Sequence, residues 1–391
     1  MDTTRVFALI EELNAQYCDL WEKVCNMESP TEDKQAVDAV GEVFVQIARQ
    51  HQWNVEISEQ EQAGDAICIT MNPESRERPI AFSGHIDTVY PIGTFPVPAV
   101  RWENGRISGP GVRACTGGVV AAVMTMDALS QCGFRNRPVK LIIQTDEETG
   151  SKTRGKKTIA FMMEKARDAV AFLNLEGMQY GTAVLSRKGI LRYRFTVTGL
   201  SAHSAKCTEG ANAICEAAYK IIELEKWKDT DGITCTCGVI RGGTAPNSVA
   251  DSCVFQADIR FADQQQYQEV VRRCQQIAEE SKVEGCVCCL EKVSERPAMP
   301  RTSPNEALFA KMNEICENCG LMVLAPRHAP GGSDATYTTL YGIPTVDSIG
   351  VDGGKIHSPR SLRISNLLST AQNGLRLWLC ICDVIKRLAR F

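Results

Sequence analysis

Residues 139–151 read VKLIIQTDEETGS, an apolar run that ends in a polar, Gly-containing turn. That pattern is a buried strand, and it delivers two adjacent acids, Glu147 and Glu148, to its end. Runs of the same kind lie on either side: AICITM (66–71), RPIAFSG (78–84) and AVAFLNLE (169–176), with a helical segment from about Gly118 to Cys132 between them. Buried strands alternating with helices predict an α/β fold with a largely parallel sheet. Open sheets of this type bind ligands just beyond the strand ends.

From about Gly189 the pattern changes. The order is strand LRYRFTVTG, helix NAICEAAYKIIELEKW, strands ITCTCGVIRGG and DSCVFQADIRF, helix QQYQEVVRRCQQIAEESK and strand GCVCCLEKVS. This β-α-β-β-α-β order is the split βαβ signature of a small ferredoxin-like unit. The expected division is a first domain over 1–188 and 297–391, interrupted by an insert over 189–296. After Pro297 the first domain resumes with a helix (NEALFAKMNEICENCG), an apolar strand (GIPTVDSIG) and a last amphipathic helix (ISNLLSTAQNGLRLWLCICDVIKRL). A chain of 391 residues favours two cores over one.

A hydrophobic content of 44%, a charged content of 23% and a net charge of -4 are ordinary globular values. They leave no basic excess for phosphates, so no nucleic-acid partner is expected. The N-terminal MDTTRVFALIEELNAQYCDLWEKV reads as an amphipathic helix with acidic residues, not as a signal peptide. No apolar run approaches the roughly 18 residues of a membrane span. A soluble, cytoplasmic protein without membrane contact is the expectation. Its 18 cysteines are therefore expected to be mainly reduced. Cys235 with Cys237, and Cys286 with Cys288, have the spacing of same-face strand residues and read as small buried hydrophobes. Cys316 and Cys319 form a single C-x-x-C without the second pair of a zinc finger.

Four segments bring metal-binding side-chain types to strand ends or loops. RPIAFSGHIDTV supplies His85 and, two residues on, Asp87; a carboxylate there fixes the tautomer and orientation of a ligand histidine through its other ring nitrogen. On its own, a His-x-Asp pair at a strand end is more often a structural hydrogen bond. In an extended segment Glu147 and Glu148 point apart, so one can bind a metal while the other takes a proton from water. The bland alternative is a solvated acidic loop. AVAFLNLEG ends on Glu176, and GGKIHSPRS places His357 in a Gly-rich loop. Two histidines and several carboxylates suit zinc, or manganese or cobalt.

Taken in order, GHIDTV, GPGV…GG, DEETGS, LEG, GLSAHSA, GTAPNSVAD, ADIRF, GGSDATY and IHSP span nearly the whole chain. In these motifs the sequence resembles the dinuclear zinc peptidase family that includes bacterial glutamate carboxypeptidase, aminoacylase, peptidase T and succinyl-diaminopimelate desuccinylase, the glutamate carboxypeptidase branch above all. The resemblance implies a zinc-exopeptidase-like sheet flanked by helices, with the insert as a dimerisation domain in a homodimer. It also implies two zinc ions, one held by His85 and Glu176 and the other by Glu148 and His357. Asp87 would orient His85, and Glu147 would be the general base for a metal-activated water. His203 would reach a partner subunit's site to stabilise the oxyanion, while Asn247, Arg260 and the loop with Gly332 and Ser333 would read the substrate and its carboxylate. The implied reaction is cleavage of a peptide or N-acyl amino-acid amide bond next to a free carboxylate, with an N-acyl amino acid deacylase as the alternative. His51 and His328 match no ligand motif and read as surface or loop residues.

One departure stands out. The family loop reads like G-x-G-x-x-D-x-K-G-G, and its aspartate bridges the metals; here it reads GPGVRACTGG, with Ala114 in place of the aspartate and Thr116 in place of the lysine. Each metal is then left with two protein ligands, where catalytic zinc usually has three. Arg113 adds positive charge beside the gap. Three explanations remain open at the level of sequence: a substitute ligand from Cys115, whose residue type at a helix start is more often that of a small buried side chain; a binding protein with one metal or none; or an inactivating substitution at position 114.

Overall fold

The computed structural model describes residues 3–103, 106–151 and 156–352, so His357 and the helix expected near the C-terminus lie outside the described residues. In chain order the elements begin with α1 (Thr3–Asn26), α2 (Lys34–Gln50), β1 (Asn54–Ser58), β2 (Ala66–Met71), β3 (Ile80–His85), β4 (Arg101–Glu103), β5 (Arg106–Ser108) and α3 (Thr116–Gln131). They continue through β6 (Val139–Gln144), α4 (Lys157–Ala166), β7 (Ala171–Asn174), β8 (Thr182–Arg187), β9 (Gly189–Thr198), α5 (Ala213–Leu224), β10 (Thr234–Gly242) and β11 (Ser252–Phe261). The last are α6 (Gln264–Glu279), β12 (Val287–Arg296), α7 (Ser303–Asn318), β13 (Ala325–Ala329), α8 (Ala335–Leu340) and β14 (Thr345–Val346). They fall into two compact units, the first within Met1–Leu185, Arg301–Arg327 and Ser333–Phe391, the second within Ser186–Pro300 and His328–Gly332.

The first unit is built on a six-stranded sheet of order β1-β2-β6-β3-β7-β14. Strands β6, β3, β7 and β14 run parallel, while β2 and β1 add antiparallel pairings at one edge. The central strands are apolar at nearly every position because both faces are covered. Ile67, Ile69, Phe82, Leu141, Ile143 and Leu173 enter one core with residues of α1, α2, α3 and α7. Their neighbours Cys68, Ala81, Ile142 and Phe172 enter a second core with Ile159 and Met162 of α4. Truncating a side chain such as Phe82 to alanine is expected to cost about 3–5 kcal/mol.

Helix α3 starts two residues before the expected Gly118 and is buried along nearly its whole length. Gly118 is required there, because a Cβ would collide with the Leu175 carbonyl. The strand expected over GIPTVDSIG shrinks to Thr345–Val346. Beyond it Asp347 turns to Val184, exchanging backbone hydrogen bonds of 2.8 and 3.0 Å, and Ser348 adopts a left-handed φ of 55° that ends the strand.

The second unit contains a four-stranded antiparallel sheet of order β10-β11-β9-β12 with α5 and α6, the ferredoxin-like arrangement. Alternate residues of β9 and β11 are buried, as expected of a sheet covered on one face. Phe195 and Phe255 stack at 4.6 Å in its core. Cys235 and Cys286 are buried there, in keeping with their reading as small hydrophobes, whereas their partners Cys237 and Cys288 are only partly buried. Among the described residues no helix is long and apolar enough to cross a membrane.

Candidate metal centre

The candidate site is organised around one buried carboxylate at the end of β3. After His85 the chain runs beside residues 29–31: the Thr88 amide donates to Ser29 O (2.8 Å), the Thr31 amide to Thr88 O (3.0 Å) and the Ser29 hydroxyl to Ile86 O (2.5 Å). Asp87, between them, is fully buried. Its carboxylate accepts the Thr31 hydroxyl (2.7 Å) and the amides of Glu147 (3.2 Å) and Glu148 (3.1 Å). It also lies 3.2 Å from His85 Nδ1. Burial favours the protonated form, but His85 and these donors outweigh it and hold Asp87 below the usual carboxylate range.

Glu147 and Glu148 differ from expectation in their backbone. They lie in a single 3-10 turn, Glu147–Thr149, closed by Gly150 at φ 79°. The extended segment read from sequence is overridden because both amides turn inward to Asp87, some sixty residues away in the chain. Burial pushes Glu148 up to about 8; the nearby Glu147, Asp87 and Glu176 add to the rise and His85 offsets part of it.

Imidazole His85 is 3% exposed. Nδ1 faces Asp87, and Nε2 is 3.4 Å from Glu176 Oε1. Burial opposes its charge, yet Cys115, Glu176 and Asp87 together raise its proton affinity well above the ordinary imidazole range. Glu176 follows β7 and is anchored through its carbonyl, which accepts the Gly350 amide (2.9 Å). Cys115 precedes α3, is 1% exposed, and has its thiol pushed well above the usual range by burial. A ligand atom from each of His85, Cys115 and Glu176 lies within 4.8 Å of the others. Among the described residues this is the one such group of three or more His, Cys, Asp or Glu donors, and neither Cys316 nor Cys319 takes part in one. Imidazole nitrogen, carboxylate oxygen and thiol sulfur suit a zinc-type ion. Ala114 is half-buried in the turn before α3, and the Arg113 guanidinium donates to Met178 O at 2.7 Å.

Within the same unit a pocket of about 360 Å³ borders Glu148, walled by Thr31, Thr88, Val89, Pro91 and Ile92. Ser333 is buried; its hydroxyl accepts from Asn174 Nδ2 (2.9 Å) and the Ala335 amide (3.2 Å). The other expected substrate residues belong to the second unit. His203 is exposed, its Nδ1 accepting the Ala205 amide at 3.2 Å. Asn247 is exposed, and its carbonyl accepts the Ser204 amide at 3.0 Å. Arg260 is held by Asp258 through Nε (2.6 Å) and a terminal nitrogen (3.2 Å), while Arg192 donates to the same carboxylate at 2.7 Å. At Gly332 a Cβ would press on Arg296 and Ile190. His51 stacks on Trp53 at 4.5 Å, and His328 Nδ1 meets the Ser186 hydroxyl at 3.0 Å.

Thr31 and Ser29 escaped the sequence reading. They sit in MESPTED, a turn before a helix, and nothing local signals that they clamp a loop nearly sixty residues on.

Comparison with known proteins follows the same outline. The profile of Peptidase family M20/M25/M40 matches residues 81–383. Carboxypeptidase G2 of Pseudomonas sp. (strain RS-16) is 25% identical over 347 residues, 87% of this chain and 82% of that protein. Among solved structures, a tripeptidase from Staphylococcus aureus superposes with a TM-score of 0.77 at 20% identity, covering 100% of both chains. Aminopeptidase PepT from Bacillus cereus superposes with a TM-score of 0.73 at 18% identity over 99% of each. At these identities the structures speak for the fold.

Proposed function

The chain belongs to peptidase family M20/M25/M40, metal-dependent hydrolases of peptide bonds, and we propose that it cleaves the amide bond next to the free carboxylate of a small peptide or N-acyl amino acid. The observation that carries this reading is the Asp87 hub. Asp87 meets His85 Nδ1 through its backbone carbonyl at 3.0 Å and its carboxylate at 3.2 Å, and that carboxylate accepts the amides of both Glu147 and Glu148. Two proposed ligands and the proposed base are thus tied to one buried residue, the preorganisation that hydrolysis of an unactivated amide needs.

In this reading His85, Glu176, Glu148 and His357 are the metal ligands, with zinc the expected ion. The bound metal supplies Lewis acidity that polarises the scissile carbonyl and acidifies the attacking water. Glu147 takes the proton from that water and returns it to the leaving amine, work worth about 10²–10⁴ in rate. Asp87 fixes the His85 tautomer. His203 supports the developing oxyanion in the site of a second subunit of a homodimer. Arg260 and Asn247 receive the substrate carboxylate. Asp258 neutralises one of the two guanidinium charges of Arg192 and Arg260, so the group keeps a net positive charge for that contact. Gly332 and Ser333 shape the adjoining loop.

The test is hydrolysis of an N-acyl glutamate and a glutamate-terminated dipeptide by zinc-loaded protein, beside the same compounds with the α-carboxylate amidated. Release of glutamate from the free acids alone supports the proposal. Equal turnover of the amidated compounds removes the carboxylate requirement, and no turnover by fully loaded protein leaves a ligand-binding role. Preference for the acyl compound over the dipeptide identifies the deacylase alternative.

A further inference from the structure

Ala114 ends at Cβ and brings no donor to the turn where the family places an aspartate. The next side chain does. Cys115 is 1% exposed and converges with His85 and Glu176, ligand atoms within 4.8 Å. The 3.4 Å between His85 Nε2 and Glu176 Oε1 matches one edge of a tetrahedron whose ligands stand about 2.1 Å from a central ion. The Cys115 sulfur lies within 4.8 Å of a ligand atom of each of these two residues, placing it to supply a third corner.

The surroundings admit the sulfur. Gly84 lies beside it, and a Cβ there would stand 3.0 Å from Sγ. Although Cys115 occupies the N-cap of the 16-residue α3, its side chain makes no capping hydrogen bond. The thiol is therefore not committed to the helix, while the positive end of the helix favours an anion at that position.

We infer that Cys115 has taken over the ligand role vacated at position 114, giving a His85–Cys115–Glu176 centre for one zinc-type ion. The inference rests on the metallohydrolase reading and narrows it to a centre of stated composition. On binding, the S–H bond breaks, its proton leaves to solvent, and the sulfur electron pair forms the metal–sulfur bond, with no change of oxidation state. Three protein ligands with one position open is the ligand count of catalytic zinc sites. A thiolate also moves preference away from manganese and magnesium towards zinc and cobalt.

The test uses the full chain, stripped by chelator and reloaded with one equivalent of zinc or cobalt. X-ray absorption at the zinc edge should find one sulfur at about 2.3 Å. The cobalt form should carry a near-ultraviolet sulfur-to-metal charge-transfer band that is absent from Cys115→Ser. That variant should bind zinc more weakly by more than about a hundredfold, beyond the range of outer-shell losses. The edge spectrum needs no variant, so misfolding of Cys115→Ser would leave the test intact. Zinc bound in a His85-dependent manner with only nitrogen and oxygen neighbours overturns the thiolate assignment and leaves the hydrolase reading standing. Zinc retained by Ala114→Asp and not by this chain overturns it as well, because sulfur then fails to replace the carboxylate. Failure of both proteins to hydrolyse under zinc, with sulfur nonetheless seen at the metal, brings down the hydrolase reading and keeps the site.

Discussion

Two buried charged clusters, one in each unit, differ in what they need. In the second unit Glu216 and Lys220 lie one helical turn apart on α5, 0% and 3% exposed, and meet at 2.8 Å. Lys220 also donates to the carbonyls of Ile277, Ala278 and Glu280 at the end of α6, and Glu216 accepts the amides of Lys282 and Val283. Burial raises Glu216, yet these partners hold it below the usual carboxylate range. At the Asp87 hub, by contrast, Glu148 feels three neighbouring carboxylates and a single imidazole, and burial drives it up to about 8. The first cluster is electrostatically complete within the chain. The second has the charge pattern of a site that a cation completes.

The contrast breaks most visibly when one charged side chain is removed from each cluster. Glu147→Gln should lower kcat/KM by about 10²–10⁴ with metal content and thermal stability unchanged. A fall in metal content instead would make Glu147 a ligand and not a base. Lys220→Met should do the reverse. Stripping a buried ion pair of one partner costs about 3–5 kcal/mol, visible as a shifted denaturation midpoint, while the metal content of the first unit stays constant.

Much of this was legible in the chain, and the limits have physical causes. AICITM and VKLIIQ announce buried strands because covering both faces demands apolar residues throughout. The order of the insert's elements was readable because alternation along β9 and β11 records a one-sided core. His85, Asp87 and Glu176 could be picked out because strand ends carry them. The turn at Glu147–Thr149 was not legible, since a distant carboxylate draws its amides inward. Nor was the early end of β14, which depends on Asp347 pairing with Val184. Local pattern cannot encode a partner 60 or 160 residues away.

A pH titration sharpens the contrast next. In the folded, metal-free chain Glu148 keeps its proton up to about 8, whereas its ordinary value is 4.5. Between those values the folded chain binds more protons than the unfolded one, so this group's contribution makes stability fall as pH rises. A metal held beside Glu148 must displace that proton, so up to about pH 8 this group alone makes affinity climb about tenfold per pH unit, on top of the protons that His85 and Cys115 give up on binding. Glu148→Gln should remove this group's share of both trends. Glu216→Gln, whose parent carboxylate is held below the usual range, should leave the slope of metal affinity with pH the same as in the wild type. Isothermal titration with zinc in buffers across this range reads the affinity, and denaturant melts of chelated protein read the stability.

The smallest expected effect tests how the hub works. Thr31→Val removes one of Asp87's donors and keeps the shape of the side chain. Asp87 retains the two amides and His85, so the carboxylate should stay ionised and close to its place. Loss of a hydrogen bond to a charged group costs about 1.5–3 kcal/mol at most sites. If Asp87 acts by orienting His85, part of that cost should appear as about tenfold weaker zinc binding, the lower end of the range for outer-shell partners. A chelator competition measures it. If the variant melts earlier but binds zinc as tightly as before, the Thr31 hydroxyl serves only the folding of the β3 loop, and the positioning of His85 rests on the amides of Glu147 and Glu148 that hold Asp87.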